Sequence, residues 1–109
     1  MIELLSANTP NGWKISIMLE EIGYKYKVTK VDIGKDEQFK PEFLKISPFG
    51  KIPVIIDHDN NESIFESGAI LMYLGDKSKK FYHEKDRLTI NQWLMAQMGT
   101  VGPMIGQHH

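Results

Sequence analysis

Apolar residues along this chain come in short blocks whose spacing changes from one block to the next. Ile2, Leu4 and Leu5 form a brief run that Thr9-Pro10-Asn11-Gly12 interrupts with turn and cap residues, which predicts a strand, a loop and a helix start. From there Ile15, Met18, Leu19 and Ile22 recur at i, i+3, i+4 and i+7, beside Glu20 and Glu21. Gly23 stands where a helix-ending glycine belongs, so an amphipathic helix is expected. Tyr26 to Ile33 is rich in β-branched residues and predicts a second strand.

Gly34-Lys35-Asp36-Glu37 predicts a polar loop, and Pro41, at a helix N1 position before Glu42, Phe43 and Leu44, predicts one or two helical turns ahead of Ser47-Pro48. Lys51 to Asp57 is an apolar β-branched run; Asp59-Asn60-Asn61 makes a turn and Ser63-Ile64-Phe65 a short answering strand, hence a hairpin. Ser67 can cap a helix carrying Ile70, Leu71 and Leu74 on one face and ending near Gly75. The predicted order is β-α-β-α-β-β-α. A lysine-rich link from Lys77 to Lys85 leads to one more helix, from Asp86 to Met98, with Leu88, Trp93, Leu94 and Met95, and then to a glycine-containing stretch from Gly99 to Gly106. A single helix after a linker cannot bury its own apolar face, so the chain is expected to stop short of a larger helical unit.

The 109 residues suffice for one compact core, with 41% apolar and 25% charged positions. No cysteine is present. That removes a dithiol redox motif, thiolate-ligated zinc, cysteine nucleophiles and a disulfide scaffold together, so any redox chemistry must use a borrowed thiol. Thirteen basic residues against fourteen acidic ones leave a formal charge of −1 and no long-range field for polyanions. Arg87 is the only arginine, whereas phosphate and base recognition favour arginine forks, so nucleic acid is not an expected partner. No apolar stretch approaches the ~20 residues that span a bilayer, and Met1-Ile2-Glu3-Leu4-Leu5 lacks the basic and apolar regions of a secretory leader; a soluble cytoplasmic location is the expectation. His58, His83, His108 and His109 show no metal-ligand spacing, and the phosphate-cradling glycine motifs are missing, so neither a metal nor a nucleotide is expected.

Four segments in order resemble the N-terminal, thioredoxin-like half of cytosolic glutathione S-transferases, and most of all the bacterial Nu-class and nitrogen-regulator-like members with disulfide-bond oxidoreductase activity. They are Thr9-Pro10-Asn11-Gly12-Trp13-Lys14-Ile15, Gln38-Phe39-Lys40-Pro41-Glu42-Phe43-Leu44, Ile46-Ser47-Pro48-Phe49-Gly50-Lys51-Ile52-Pro53 and Phe65-Glu66-Ser67-Gly68-Ala69-Ile70. The tail from Gly102 to His109 is similar to the same subgroup just inside its helical C-terminal domain. The resemblance implies an α/β, thioredoxin-like βαβαββα domain with a mixed four-stranded sheet over residues 1–80, and over residues 81–109 a linker and the first helix of an incomplete all-α domain. It further implies glutathione as co-substrate, a small disulfide or electrophile as second substrate, and a homodimer in the full-length form.

A thiol of pKa near 8.5 is about 3% ionised at pH 7, and lowering that pKa by ~2 units, which takes about 2.7 kcal/mol, makes thiolate the major species. The free N–H groups at the start of the first helix, the Thr9 hydroxyl and the Asn11 amide could supply that stabilisation, although by spacing alone Thr and Asn before a helix are usually ordinary caps, and it is the resemblance that gives Thr9 and Asn11 the thiol. Ser6 is a rival hydroxyl, expected instead to end the first strand. Glu66 and Ser67 match the positions that hold the γ-glutamyl ammonium and carboxylate, Gln38 and Lys51 those of the glycyl end, and Ile52 the backbone that pairs with the cysteinyl part. The Ile52–Pro53 bond is implied to be cis, with Pro53 beginning the third strand. Trp13 is core or interface packing, or the border of an electrophile pocket. The competing class is a non-catalytic binding or regulatory module of the same fold.

Overall fold

The computed structural model describes residues 1–97. Strand β1 (Ile2–Ser6) leads into helix α1 (Pro10–Ile22) and strand β2 (Tyr26–Lys30). Two single 3-10 turns precede the short helix α2 (Pro41–Leu44), the hairpin β3 (Val54–Asp57) and β4 (Glu62–Phe65), helix α3 (Ser67–Ser78) and helix α4 (Arg87–Ala96). The sheet order is β2-β1-β3-β4. β1 and β2 are parallel, as a helical crossover requires, and the other two pairings are antiparallel. The mixed four-stranded sheet expected from the sequence is therefore present.

Alternation along β1 sends Ile2 and Leu4 to one face, where they meet Ile15, Leu19 and Ile22 of α1, Ile55 of β3 and Ile70 and Leu74 of α3. Burying each of these side chains contributes about 1.5–3 kcal/mol. The opposite face holds a smaller cluster of Val31, Phe43 and Val54, supported by Leu5, Ile46, Ile52 and Phe65. Helices α1 and α3 thus lie on one side and α2 on the other.

Several boundaries depart from the sequence expectation. β2 ends at Lys30 because Asp32 caps a 3-10 turn over Ile33–Lys35, its carboxylate accepting from the Gly34 N–H at 3.1 Å. The loop after it is likewise a second turn, Glu37–Phe39. β3 begins at Val54 and not at Pro53, since Lys51 to Pro53, the first part of the expected strand run, forms a loop. α3 runs past Gly75 to Ser78, carrying Lys77 into the helix, because Gly75 fits where the Cβ of Tyr82 approaches too closely for any side chain. Ser67 is the first helical residue of α3; the cap position belongs to Glu66, whose side chain makes no capping bond. α4 covers Arg87–Ala96, and Met98 together with the stretch from Gly99 to His109 lies outside the described residues.

Candidate functional site

The direction of the strands decides which groups gather at which end. β1 and β4 finish, and β3 starts, at the edge of the sheet where α1 and α3 both begin. Two helix N-termini, each the positive end of a peptide dipole, therefore face the same edge. A cavity of about 60 Å³ opens there, lined by Asn11 of α1, Ser67 of α3, Glu66, and by Ser47, Phe49, Lys51, Ile52, Pro53 and Phe65.

The turn before α1 is set by a close approach. Gly12 is buried, and a Cβ there would overlap the Ser6 hydroxyl and crowd the Ala7 carbonyl. Ser6 is 4% exposed and its hydroxyl donates to the Ala7 carbonyl at 3.1 Å, so it ends β1 as expected and is occupied locally. Thr9 caps α1, its Oγ1 accepting from the Gly12 N–H at 3.4 Å. Asn11 is exposed at the cavity; its Oδ1 accepts from Lys14 Nζ at 3.1 Å. α1 has no acidic residue in its first turn, so no side chain of that turn answers the helix dipole.

The loop from Ser47 to Lys51 is clamped from within. Ser47, 1% exposed, donates to the Lys51 carbonyl at 2.7 Å and accepts from the Lys51 N–H at 3.1 Å. Gly50 takes φ of 63°, where a Cβ would strike the Phe39 ring. The Ile52–Pro53 bond that follows is cis, as the resemblance implies. Glu66 adopts φ 73° and ψ 119°, a conformation costly for a side-chain-bearing residue, of order 1–3 kcal/mol, and one that concentrates at ligand sites. It directs the residue between β4 and α3 toward the cavity that Ser67, 5% exposed, also lines.

Of the residues singled out from the sequence, Asn11, Lys51, Ile52, Pro53, Glu66 and Ser67 thus share one cavity. Thr9 and Gln38 do not line it. Thr9 stands at the head of α1 two residues from Asn11, and the Gln38 carbonyl lies against Gly50, with the Gln38 Oε1 buried and lacking a donor among the described residues. Trp13 is half exposed, donates its indole N–H to Asn8 Oδ1 at 2.7 Å, and borders a separate recess of about 370 Å³ between α1 and β2, with Ser16, Val28 and Lys30. Sequence reasoning gave no role to Ser47, Phe49 or Phe65. Their signal lay in Ser-Pro-Phe-Gly, a turn composition whose serine faces a residue four positions on, while the edge-on contact of Phe49 with Phe65, centroids 6.3 Å apart, joins that loop to the end of β4.

Comparison with known proteins decides the family: the glutathione S-transferase N-terminal domain matches residues 2–76. The chain belongs to that family. This transferase domain is 53% identical to the disulfide-bond oxidoreductase YfcG of Escherichia coli K12 over 116 residues, covering all of this chain and 54% of that protein. It is 38% identical to the transcriptional regulator URE2 of Saccharomyces cerevisiae over 112 residues, covering 92% of this chain and 31% of that one. A glutathione transferase from Pseudomonas putida, solved with one glutathione disulfide per subunit, superimposes with a TM-score of 0.89 at 47% identity, over 97% of this chain and 49% of that chain. The transferase domain is thioredoxin-like, and the chain spans about half the length of YfcG or less of its other curated relatives named here. Among the described residues no group of three metal-ligating side chains occurs and no helix is long and apolar enough to cross a membrane.

Proposed function

We propose that this chain forms the glutathione-activating half of a glutathione-dependent transferase or oxidoreductase, and that its preferred reaction is the reduction of disulfides with two glutathiones. The observation that carries the reading is the meeting of the α1 and α3 N-termini at one cavity lined by Asn11 and by Glu66 and Ser67, in a chain without cysteine. The Glu66 carboxylate suits the γ-glutamyl ammonium, and the Ser67 N-terminal end of α3 suits its carboxylate. The Ile52 backbone suits the cysteinyl part and Lys51 and Gln38 the glycyl end, leaving the sulfur beside Thr9 and Asn11.

The chemistry balances without a protein thiol. The glutathione thiolate attacks one sulfur of the substrate disulfide, forming a mixed disulfide and expelling a thiolate that takes up a proton. A second glutathione thiolate then attacks the glutathione sulfur of that mixed disulfide, releasing the second substrate thiol and leaving glutathione disulfide. Two thiols are oxidised and one disulfide is reduced. The Pseudomonas putida relative, whose structure holds glutathione disulfide, and the disulfide-bond oxidoreductase activity for which the Escherichia coli relative is named support this choice. A small disulfide or electrophile is the second substrate, and the reduced glutathione that the reaction consumes suits the cytoplasm. Residues 1–80 are the glutathione-binding domain and residues 81–109 open a helical domain; exposed Leu88 and Trp93 on α4 suit burial in that longer form, which we take to be a homodimer.

The likeness to a yeast transcriptional regulator favours one other reading, a regulatory module that binds through the same fold without turnover. Rate separates the two. Glutathione-dependent reduction of hydroxyethyl disulfide is measured for the wild-type protein, Thr9→Ala and Asn11→Ala. The enzymatic reading expects turnover in the wild type and losses in both variants; equal or undetectable rates in all three select the regulatory module.

A further inference from the structure

The amide of Asn11 has two faces, and only one of them can help a thiolate. Its N–H₂ donates, its oxygen repels. Lys14 Nζ, 3.1 Å from Asn11 Oδ1, settles which is which: an ammonium carries donors alone, so the atom it faces is the oxygen. The two amide N–H groups have no acceptor among the described residues, in a side chain that is exposed and lines the cavity. Lys14 itself does not line that cavity, so it reaches the site through Asn11.

Lys14 lies one turn into α1, toward the end of the helix that favours anions. It forms no ion pair with any described carboxylate, although other lysines of the chain do, and partial burial holds its pKa below the ordinary lysine range. An ammonium without a carboxylate partner, set against its own desolvation and bonded to an amide oxygen, gains little stability from its place.

Building on the thiol-activation reading above, we propose that Lys14 is a positioning residue for the bound thiol, its ammonium locking the Asn11 amide with the oxygen turned to the helix and the N–H₂ group turned to the sulfur. The charge also polarises the amide, strengthening the N–H donor on its far side.

The test titrates the thiol of glutathione bound to the protein, by thiolate ultraviolet absorbance, in wild type, Lys14→Met, Lys14→Gln, Lys14→Arg and Asn11→Ala. Lys14→Met should lower the thiolate fraction at neutral pH about threefold to tenfold, the net worth of one ordinary hydrogen bond. Lys14→Arg should restore it, and Lys14→Gln, a neutral donor, should restore part. Affinity for S-methylglutathione, whose sulfur has no proton to lose, should be the same in all the Lys14 variants. In an Asn11→Ala background, Lys14→Met should add no further loss. A wild-type titration curve in Lys14→Met, or a full additional loss in the Asn11→Ala background, overturns the proposal. A wild-type protein whose bound glutathione titrates as it does free in solution instead overturns the thiol-activation reading itself, and this role with it.

Discussion

The two ends of the sheet handle charge in opposite ways. At the end away from the cavity, Asp57 closes β3 completely buried, yet its carboxylate accepts from the Tyr73 hydroxyl at 2.6 Å, from Lys77 and from the Asp59 N–H at 3.0 Å. The Met1 ammonium pairs with Asp59 at 2.8 Å, and the Asn60 amide donates to Tyr73. At the cavity end, the helix dipoles and the Asn11 amide donors face the cleft with no acidic residue in the first turn of α1, and Glu66 holds a strained backbone. One end matches its polar groups internally and so contributes stability. The other leaves donors over, and a site for an anionic sulfur consists of such donors.

Substitutions should separate the two ends. Asp57→Ala takes away the acceptor of the Tyr73 hydroxyl and leaves the Lys77 ammonium only Asp59, 3.5 Å away, and should lower unfolding free energy by about 2–3 kcal/mol in urea denaturation. Burial alone would raise the Asp57 pKa; Lys77, Tyr73 and the Asp59 N–H outweigh it and hold the carboxyl below its usual 3.8. Its stabilisation is therefore present above that ordinary value and lost as pH falls through the lowered one, and Asp57→Ala should flatten the acid limb of the stability curve. Lys77, held above its ordinary 10.5 chiefly by the hydrogen bond to Asp57, contributes stability below that value that disappears as pH rises further.

Asn11→Ala should do the reverse: disulfide reductase turnover falls about tenfold to a hundredfold while the melting temperature stays put. A smaller and mixed effect is expected of Glu66→Gly, which relieves the positive φ and should raise stability by about 1 kcal/mol while glutathione affinity, measured calorimetrically, declines. The smallest belongs to Lys51→Ala. An exposed ammonium on a carboxylate should cost only about twofold to fivefold in glutathione affinity, an effect that fades with added salt.

The cavity end was the more legible of the two in the sequence. Thr9-Pro10-Asn11-Gly12 and Glu66-Ser67 are local signals, each a strand-to-helix junction contained in a few consecutive residues, and the hydrophobic period placed the helices that follow them. Strand ends were less so: the run Lys51 to Asp57 is apolar and β-branched enough for one strand, but its first three residues belong to a loop, which the bonds between Ser47 and Lys51 hold. Ser67 has the composition of a cap, and it is the backbone of Glu66 that occupies that place. The far end was not legible at all. Asp57 looks like a polar strand terminus, and its partners Tyr73 and Lys77 stand 16 and 20 residues away on a helix whose register over β3 only the fold supplies. The same holds for Phe49 and Phe65.

The central claim is that the protein ionises a sulfur it does not own, at the head of α1. A crystal structure of the protein with bound glutathione tests it most directly. The account predicts the γ-glutamyl group on Glu66 and Ser67 and the sulfur within hydrogen-bonding distance of the Thr9 hydroxyl or the Asn11 amide. Glutathione seated elsewhere on the chain, or seated in the cavity with its sulfur turned away from that turn, contradicts it.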